Sequence, residues 1–350
     1  MKALVARGHG DLSQLEVAEV PRPSIVQPGD VLVRLAAAAL NHLDLWTIRG
    51  LPGLNLEFPH ILGADGAGVV EEAGPRASRV RPGDRVMINP GISCYRCDAC
   101  LAGEHSQCDS FGLLGEHRPG TIGEYVVVPE QNLLHVPELP DSHAELSWTE
   151  AAAFSLVTLT AWRMLRTKAR VQEGETVLIW GIGGGVSSAA LAIAKLLGAS
   201  VFVTSSSNAK LATARELGAD VTLNHVRQDV VKEVRALTDK RGVDVVVENV
   251  GEATWERSLR LLARGGRLVT CGATTGPRVS VDVRKMFWHQ WTLMGSTMGN
   301  AAEYAEIVDV LGKGQLRPVV DSTYPLDRAV DAFHRLEAAE RIGKIVIEIC

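Results

Sequence analysis

The chain has 350 residues, 46% of them apolar and 22% charged, with a formal net charge of −5 at pH 7. That length accommodates two domains with substantial cores, and the mild acidity argues against a general nucleic-acid binder, which carries a basic stripe. The longest apolar stretch, Ala151 to Trp162, is too short and too rich in Ser and Thr to cross a bilayer.

The first residues, MKALV, read as a strand with no basic-then-apolar leader before them, an expectation that places the protein in the cytoplasm. Short β-like runs follow between Gly and Pro: VLVRLAAAAL from Val31, GVVEEAG from Gly68, RVMI from Arg85 and EYVVV from Glu124. PGD turns recur at Pro28 and Pro82, which suits a compact, mostly β domain.

Within that half, Cys94, Cys97, Cys100 and Cys108 form a C-x2-C-x2-C-x7-C cluster. Four thiolates close a tetrahedral shell around Zn²⁺ with no position left for water or substrate, so the expected ion is structural. Disulfides would leave little to pair with, since the other cysteines are Cys271 and Cys350. The ferredoxin run continues C-x3-C-P, whereas here seven residues intervene and Asp109 follows Cys108. Reduced thiols fit the cytoplasmic expectation.

The chain changes character near residue 155 and becomes strand then helix. TVLIW (Thr176 to Trp180) is a continuous apolar run, as for a strand buried on both faces. A helix from Ser187 follows, then VFVT, a helix from Asn208, VTLN, a helix from Gln228, VDVVVE, a helix from Ala253, and GRLVTCG. Such alternation implies right-handed βαβ units and a parallel, doubly wound α/β sheet. From about Met298 the rhythm is lost until the apolar strand KIVIEI.

TVLIW runs into Gly181-Ile182-Gly183-Gly184-Gly185-Val186-Ser187 and then a helix. A glycine turn there lets backbone amides approach a pyrophosphate, so Gly181, Gly183, Gly184, Gly185 and Val186 are candidate dinucleotide-binding residues. Ser187 stands where the fingerprint's last glycine belongs. An Asp or Glu ending the second strand binds the ribose of NAD. Here VFVT is followed by Ser205, Ser206, Ser207, Asn208 and Lys210. The missing carboxylate, with hydroxyls and Lys210 in its place, favours NADP(H) over NAD(H); Lys210 as a solvated helix residue is the plainer alternative.

The order of parts resembles the medium-chain dehydrogenase/reductase superfamily, the zinc-type alcohol dehydrogenases and their quinone reductase relatives, over nearly the whole chain. The supporting strings are ILGADGAGVV from Ile61, PGDRV from Pro82, TAW from Thr160, ELGAD from Glu216 and GKIV from Gly343. The resemblance implies a GroES-like catalytic domain over 1–157 with a zinc lobe at 91–110, a Rossmann domain over 158–297, and a return segment over 298–350 completing the first domain. It places the active site in the cleft between the domains and implies cofactor contacts for Gly272, Ala273, Thr274 and Lys344. It also implies a homodimer or dimer of dimers, built through the apolar segment Met286 to Met298 on the sheet edge; packing of Trp288 and Trp291 in the core is the alternative.

The family's zinc alcohol dehydrogenases hold a catalytic zinc with a Cys, a His from a GHE motif and another Cys. Those positions resemble Asn41, Ala64 (in Gly63-Ala64-Asp65) and Leu156 here. Alanine and leucine carry no donor atom, and an amide is a poor zinc ligand. Asn41-x-x-Asp44 is similar to what zinc-independent quinone and enone reductases carry. The reading that follows is hydride transfer from NADPH to a quinone or α,β-unsaturated carbonyl, with Asn41 donating to the acceptor oxygen, Asp44 orienting it or a water, and Thr160 packing by the nicotinamide. Asn41 and Asp44 acting only as helix caps is the bland alternative. Two further alternatives remain: an alcohol dehydrogenase with a zinc site rebuilt from His42, His60, Asp65, Glu116 and His117, and a non-enzymatic NADPH-binding protein.

Overall fold

A computed structural model describes residues 1–139, 146–338 and 340–349. Two compact units emerge, one formed by Met1–Leu156 with Gly299–Cys350 and the other by Val157–Met298.

In the first unit the strand Asp30–Ala39 organises a seven-stranded sheet. It pairs antiparallel with Asp65–Ala73, with Tyr125–Pro129 and, at its far end, with Lys344–Glu348. The last pairing brings the return segment home, and the apolar run that recommended KIVIEI as a strand supplies its buried residues Ile345, Val346 and Ile347. One core packs Leu4, Leu40, Leu45, Leu62, Phe333 and Ile347 together; another packs Val31, Val33, Val70, Val86 and Val128. The register sets the site. Ala39 lies opposite both Asp65 and Val346, so the chain leaving this strand at Asn41 meets the first residues of two other strands, Asp65 and Lys344.

In the second unit six strands, all parallel to their neighbours, lie in the order Val221–Asn224, Ser200–Ser205, Thr176–Ile179, Val243–Glu248, Leu262–Thr270 and Thr292–Gly295. Helices connect them, and the order reverses beside Thr176–Ile179, the doubly wound arrangement of a dinucleotide-binding fold. The core joins Leu178, Phe202, Val246 and Leu268 to Val234 and Leu259 from the flanking helices. The helix expected from Gln228 begins at Val230, because Asp229 caps it by accepting the N–H groups of Val231 and Lys232. Thr292–Gly295 forms the sheet edge expected for the Met286 to Met298 segment. Trp288 there is exposed, whereas Trp291 is half-buried and donates Nε1–H to Ala263 O at 3.0 Å.

Candidate active site

Asn41 opens the helix His42–Arg49, and Asp44 three residues on folds back so that Oδ2 accepts the Asn41 N–H at 2.7 Å. The other Asp44 oxygen accepts the Gly63 N–H at 3.1 Å. Gly63 holds φ at +98°, and a Cβ there would lie 2.5 Å from Ile122 Cγ1, so glycine is required to aim this amide. Full burial pushes the Asp44 carboxyl up to about 7; the two amide donors and the Lys344 charge pull the other way without winning.

The Asn41 side chain turns to Asp65 and Lys344. Its Nδ2 donates to Asp65 Oδ2 at 2.9 Å and to Ala39 O at 3.3 Å, while Oδ1 accepts from Lys344 Nζ at 2.6 Å. Lys344 Nζ also lies 2.8 Å from Asp65 Oδ2, a buried ion pair. Asp65 Oδ1 accepts the Leu156 N–H at 2.7 Å. The cap reading and the site reading therefore share one arrangement: backbone and Asp44 make the cap, and the Asn41 amide is left to face Asp65 and Lys344.

The four cysteine sulfurs all lie within 4.8 Å of one another. A tetrahedral zinc shell with bonds of about 2.3 Å sets sulfurs about 3.8 Å apart, and Cys94 Sγ and Cys100 Sγ are separated by 3.9 Å. The N–H of Cys97 points at Cys94 Sγ and that of Cys94 at Cys108 Sγ, both at 3.3 Å, donors that favour thiolates. The donor set and spacing fit a structural zinc. Among the described residues no second group of three or more His, Cys, Asp or Glu side chains gathers in this way. His60 instead bonds Gly115 O at 3.1 Å, His117 sits beside Glu116 and accepts the Leu113 N–H, and His42 packs on Trp46.

In the second unit, Gly181 and Gly183 take φ of +67° and +127°, and the helix Gly185–Leu196 starts from Gly184 with no side chain capping it. Uncapped first-turn amides at the carboxyl end of a parallel strand are the donors a pyrophosphate needs, so the chain fits a dinucleotide. Ser187 is fully buried and donates to both Gly181 O and Gly184 O, at 3.0 and 3.1 Å, bracing the turn. Gly272, Ala273 and Thr274 follow the strand Leu262–Thr270, and Thr274 Oγ1 reaches Asn249 O at 3.4 Å. Thr160 Oγ1 faces Met298 Sδ at 3.6 Å. Sequence reasoning missed Glu248, which accepts from Val250 N, Gly251 N, Thr254 Oγ1 and Ser258 Oγ and so fixes the neighbouring turn. Its signal was a carboxylate closing the apolar run VDVVVE.

Residues 27–138 match the alcohol dehydrogenase GroES-like domain and residues 185–313 the zinc-binding dehydrogenase domain. The chain is 32% identical to a zinc-type alcohol dehydrogenase-like protein of Schizosaccharomyces pombe, covering 97% of this chain and 98% of that one. The chain belongs to the medium-chain dehydrogenase/reductase superfamily. It is an oxidoreductase of that group. A solved NAD-dependent alcohol dehydrogenase shares 44% identity and a TM-score of 0.94, with each chain fully covered. A 2-octenoyl-CoA carboxylase reductase, solved with NADP and 2-octenoyl-CoA, shares 27% identity and a TM-score of 0.89 over 99% of this chain and 87% of that one. No helix among the described residues of this dehydrogenase/reductase is long and apolar enough to cross a membrane.

The family's catalytic zinc does not fit this chain. The three positions that resemble its ligands converge on one carboxylate: Asn41 and the Leu156 backbone bond Asp65, and Ala64 precedes it. None of the three offers a thiolate or imidazole, the Asn41 amide is already bonded, and the Lys344 ammonium beside Asp65 repels a second cation.

Proposed function

We propose that this dehydrogenase/reductase reduces a quinone or an α,β-unsaturated carbonyl with NADPH and without a catalytic metal. The observation that carries this reading is the Asn41–Asp65–Lys344 constellation: of the three positions that resemble the zinc ligands, Asn41 alone carries a polar side chain, and that amide is held by the Asp65 carboxylate and the Lys344 ammonium. When bound, the nicotinamide supplies a hydride to the conjugated carbon, leaving an enolate or hydroquinone anion. Delocalised charge of that kind needs weaker stabilisation than the alkoxide of a simple aldehyde, so hydrogen bonds suffice in place of a Lewis acid. Asn41 donates to the acceptor oxygen by giving up its longer bond, the one to Ala39 O at 3.3 Å. Asp44 holds the Asn41 backbone, and Lys344 fixes which way the Asn41 amide faces. Thr160 packs beside the nicotinamide, and Gly272, Ala273 and Thr274 line the cofactor.

The structural relative solved with NADP and 2-octenoyl-CoA, an α,β-unsaturated thioester, supports both the acceptor class and the cofactor. NADP(H) is favoured also because no carboxylate ends the strand Ser200–Ser205, where Ser205, Ser206 and Lys210 stand instead. The Cys94, Cys97, Cys100 and Cys108 lobe holds one structural zinc. A second copy of the chain pairs along the edge strand Thr292–Gly295. The deciding experiment follows NADPH oxidation by dialysed protein against quinones, enones, aldehydes and alcohols. Turnover of conjugated acceptors that a chelator leaves intact supports the reading; alcohol oxidation abolished by the chelator overturns it in favour of a metal-dependent alcohol dehydrogenase.

A further inference from the structure

No arginine stands between Ser205 and Lys210, after the second strand of the dinucleotide-binding sheet; the turn after the neighbouring strand Val221–Asn224 holds one, Arg227. Ser205 ends the strand Ser200–Ser205 and lies opposite Asn224, the last residue of the parallel strand Val221–Asn224. The Asn224 side chain ties the two following turns together. Its Nδ2 donates to Ser206 O at 3.2 Å and to Asn208 Oδ1 at 2.7 Å, while Oδ1 accepts the N–H groups of Val226 and Arg227 at 3.1 and 3.3 Å. The Arg227 backbone is thus fixed one asparagine side chain away from Ser206.

The other polar groups of this turn are engaged by the protein itself. Gln228 Oε1 accepts the Asn224 N–H at 2.7 Å, and the Asp229 carboxylate accepts the first-turn amides of its own helix. His225 packs near Trp180 with Nδ1 3.3 Å from Thr204 Oγ1; burial and the Arg257 charge lower its pKa, so it carries no charge at neutral pH. Arg227 is exposed, and among the described residues its guanidinium has no ion pair or hydrogen bond. Ser206, whose carbonyl the same Asn224 side chain holds, is exposed as well. A planar guanidinium that is unpaired and carried on a fixed backbone at the end of this sheet is suited to bind a phosphate dianion through two parallel hydrogen bonds.

We propose that Arg227 pairs with the ribose 2′-phosphate of NADP(H) and is the main determinant of cofactor choice. The inference rests on the NADP(H) reading and names the group that reads the phosphate. The test titrates the full-length protein with NADPH, NADH, 2′,5′-ADP and 5′-AMP, following binding by fluorescence and calorimetry. Arg227→Gln is expected to weaken NADPH and 2′,5′-ADP by about 10- to 100-fold, the scale of a charge-assisted bidentate contact. NADH and 5′-AMP, which lack the phosphate, are expected to change by less than about threefold on the same reasoning. Lys210→Gln is expected to have the smaller effect on NADPH. Unchanged NADPH binding, an equal loss for both cofactors, or a loss that follows Lys210 alone overturns the role of Arg227, and wild-type preference for 2′,5′-ADP then leaves the NADP(H) reading standing. Wild-type protein binding 2′,5′-ADP no better than 5′-AMP overturns both.

Discussion

Asp65 receives Asn41 Nδ2, Lys344 Nζ and the Leu156 amide on its two carboxylate oxygens, with no surface exposed. A buried carboxylate so placed depends on its cation. Lys344→Met leaves the Asp65 charge unpaired and is expected to cost about 3–5 kcal/mol of stability by urea unfolding. Asp65→Asn added to it removes the stranded charge, so the double variant should recover much of that stability. Turnover should not recover, because the Asn41 amide has lost the partner that orients it. Asp44 is different, since its folded-state carboxyl is raised from 3.8 to about 7 chiefly by burial. Between those values the folded state holds a proton that the unfolded chain has released. The contribution of Asp44 is therefore full below about pH 4 and lost as the pH climbs through about 7. Melting temperatures measured over that window should fall with rising pH, and Asp44→Asn, though less stable throughout, should show a flatter profile.

Among the elements, the four-cysteine lobe and the glycine turn are local, and both were legible in the sequence because their meaning lies in close spacing. The lobe leads to a prediction that separates structure from chemistry. Stripping zinc, or Cys97→Ser, should lower the melting temperature and loosen residues 91–110, because a tetrahedral centre would tie together a segment that contributes little beyond Ile92 to the apolar core. Turnover at a temperature where the chain stays folded should persist, and metal analysis should return one zinc per chain. The polar corner was only half legible. Asn41 and Asp44 share a helix start and could be read together, but Asp65 and Lys344 stand 24 and 303 residues from Asn41, and only strand register unites them. Nothing in the local sequence of KIVIEI announces that Lys344 bonds Asn41 and Asp65. Arg227 is not legible either, because its link to Ser206 runs through the Asn224 side chain, which strand register and not chain spacing puts there.

At the scale of the molecule, the unsettled feature is the open edge of the dinucleotide-binding sheet. The strand Thr292–Gly295 has a hydrogen-bonding partner on one side only, and among described strands none covers the other. Just before it, the helix Val283–His289 exposes Phe287 and Trp288, each at 65%. An uncovered edge with large apolar side chains beside it is a liability that proteins usually bury or blunt with charge. Pairing of two identical edges about a twofold axis would satisfy the strand's free backbone groups and cover both aromatic pairs with one self-complementary contact. The expected outcome by sedimentation at micromolar concentration is twice the chain mass. Phe287→Glu with Trp288→Glu should shift the protein to a monomer, since four carboxylates would then crowd the shared axis. Because neither side chain is part of the sheet core, the variant should keep its secondary structure and its affinity for the dinucleotide. A wild-type protein that sediments as a monomer would show that this edge is tolerated uncovered.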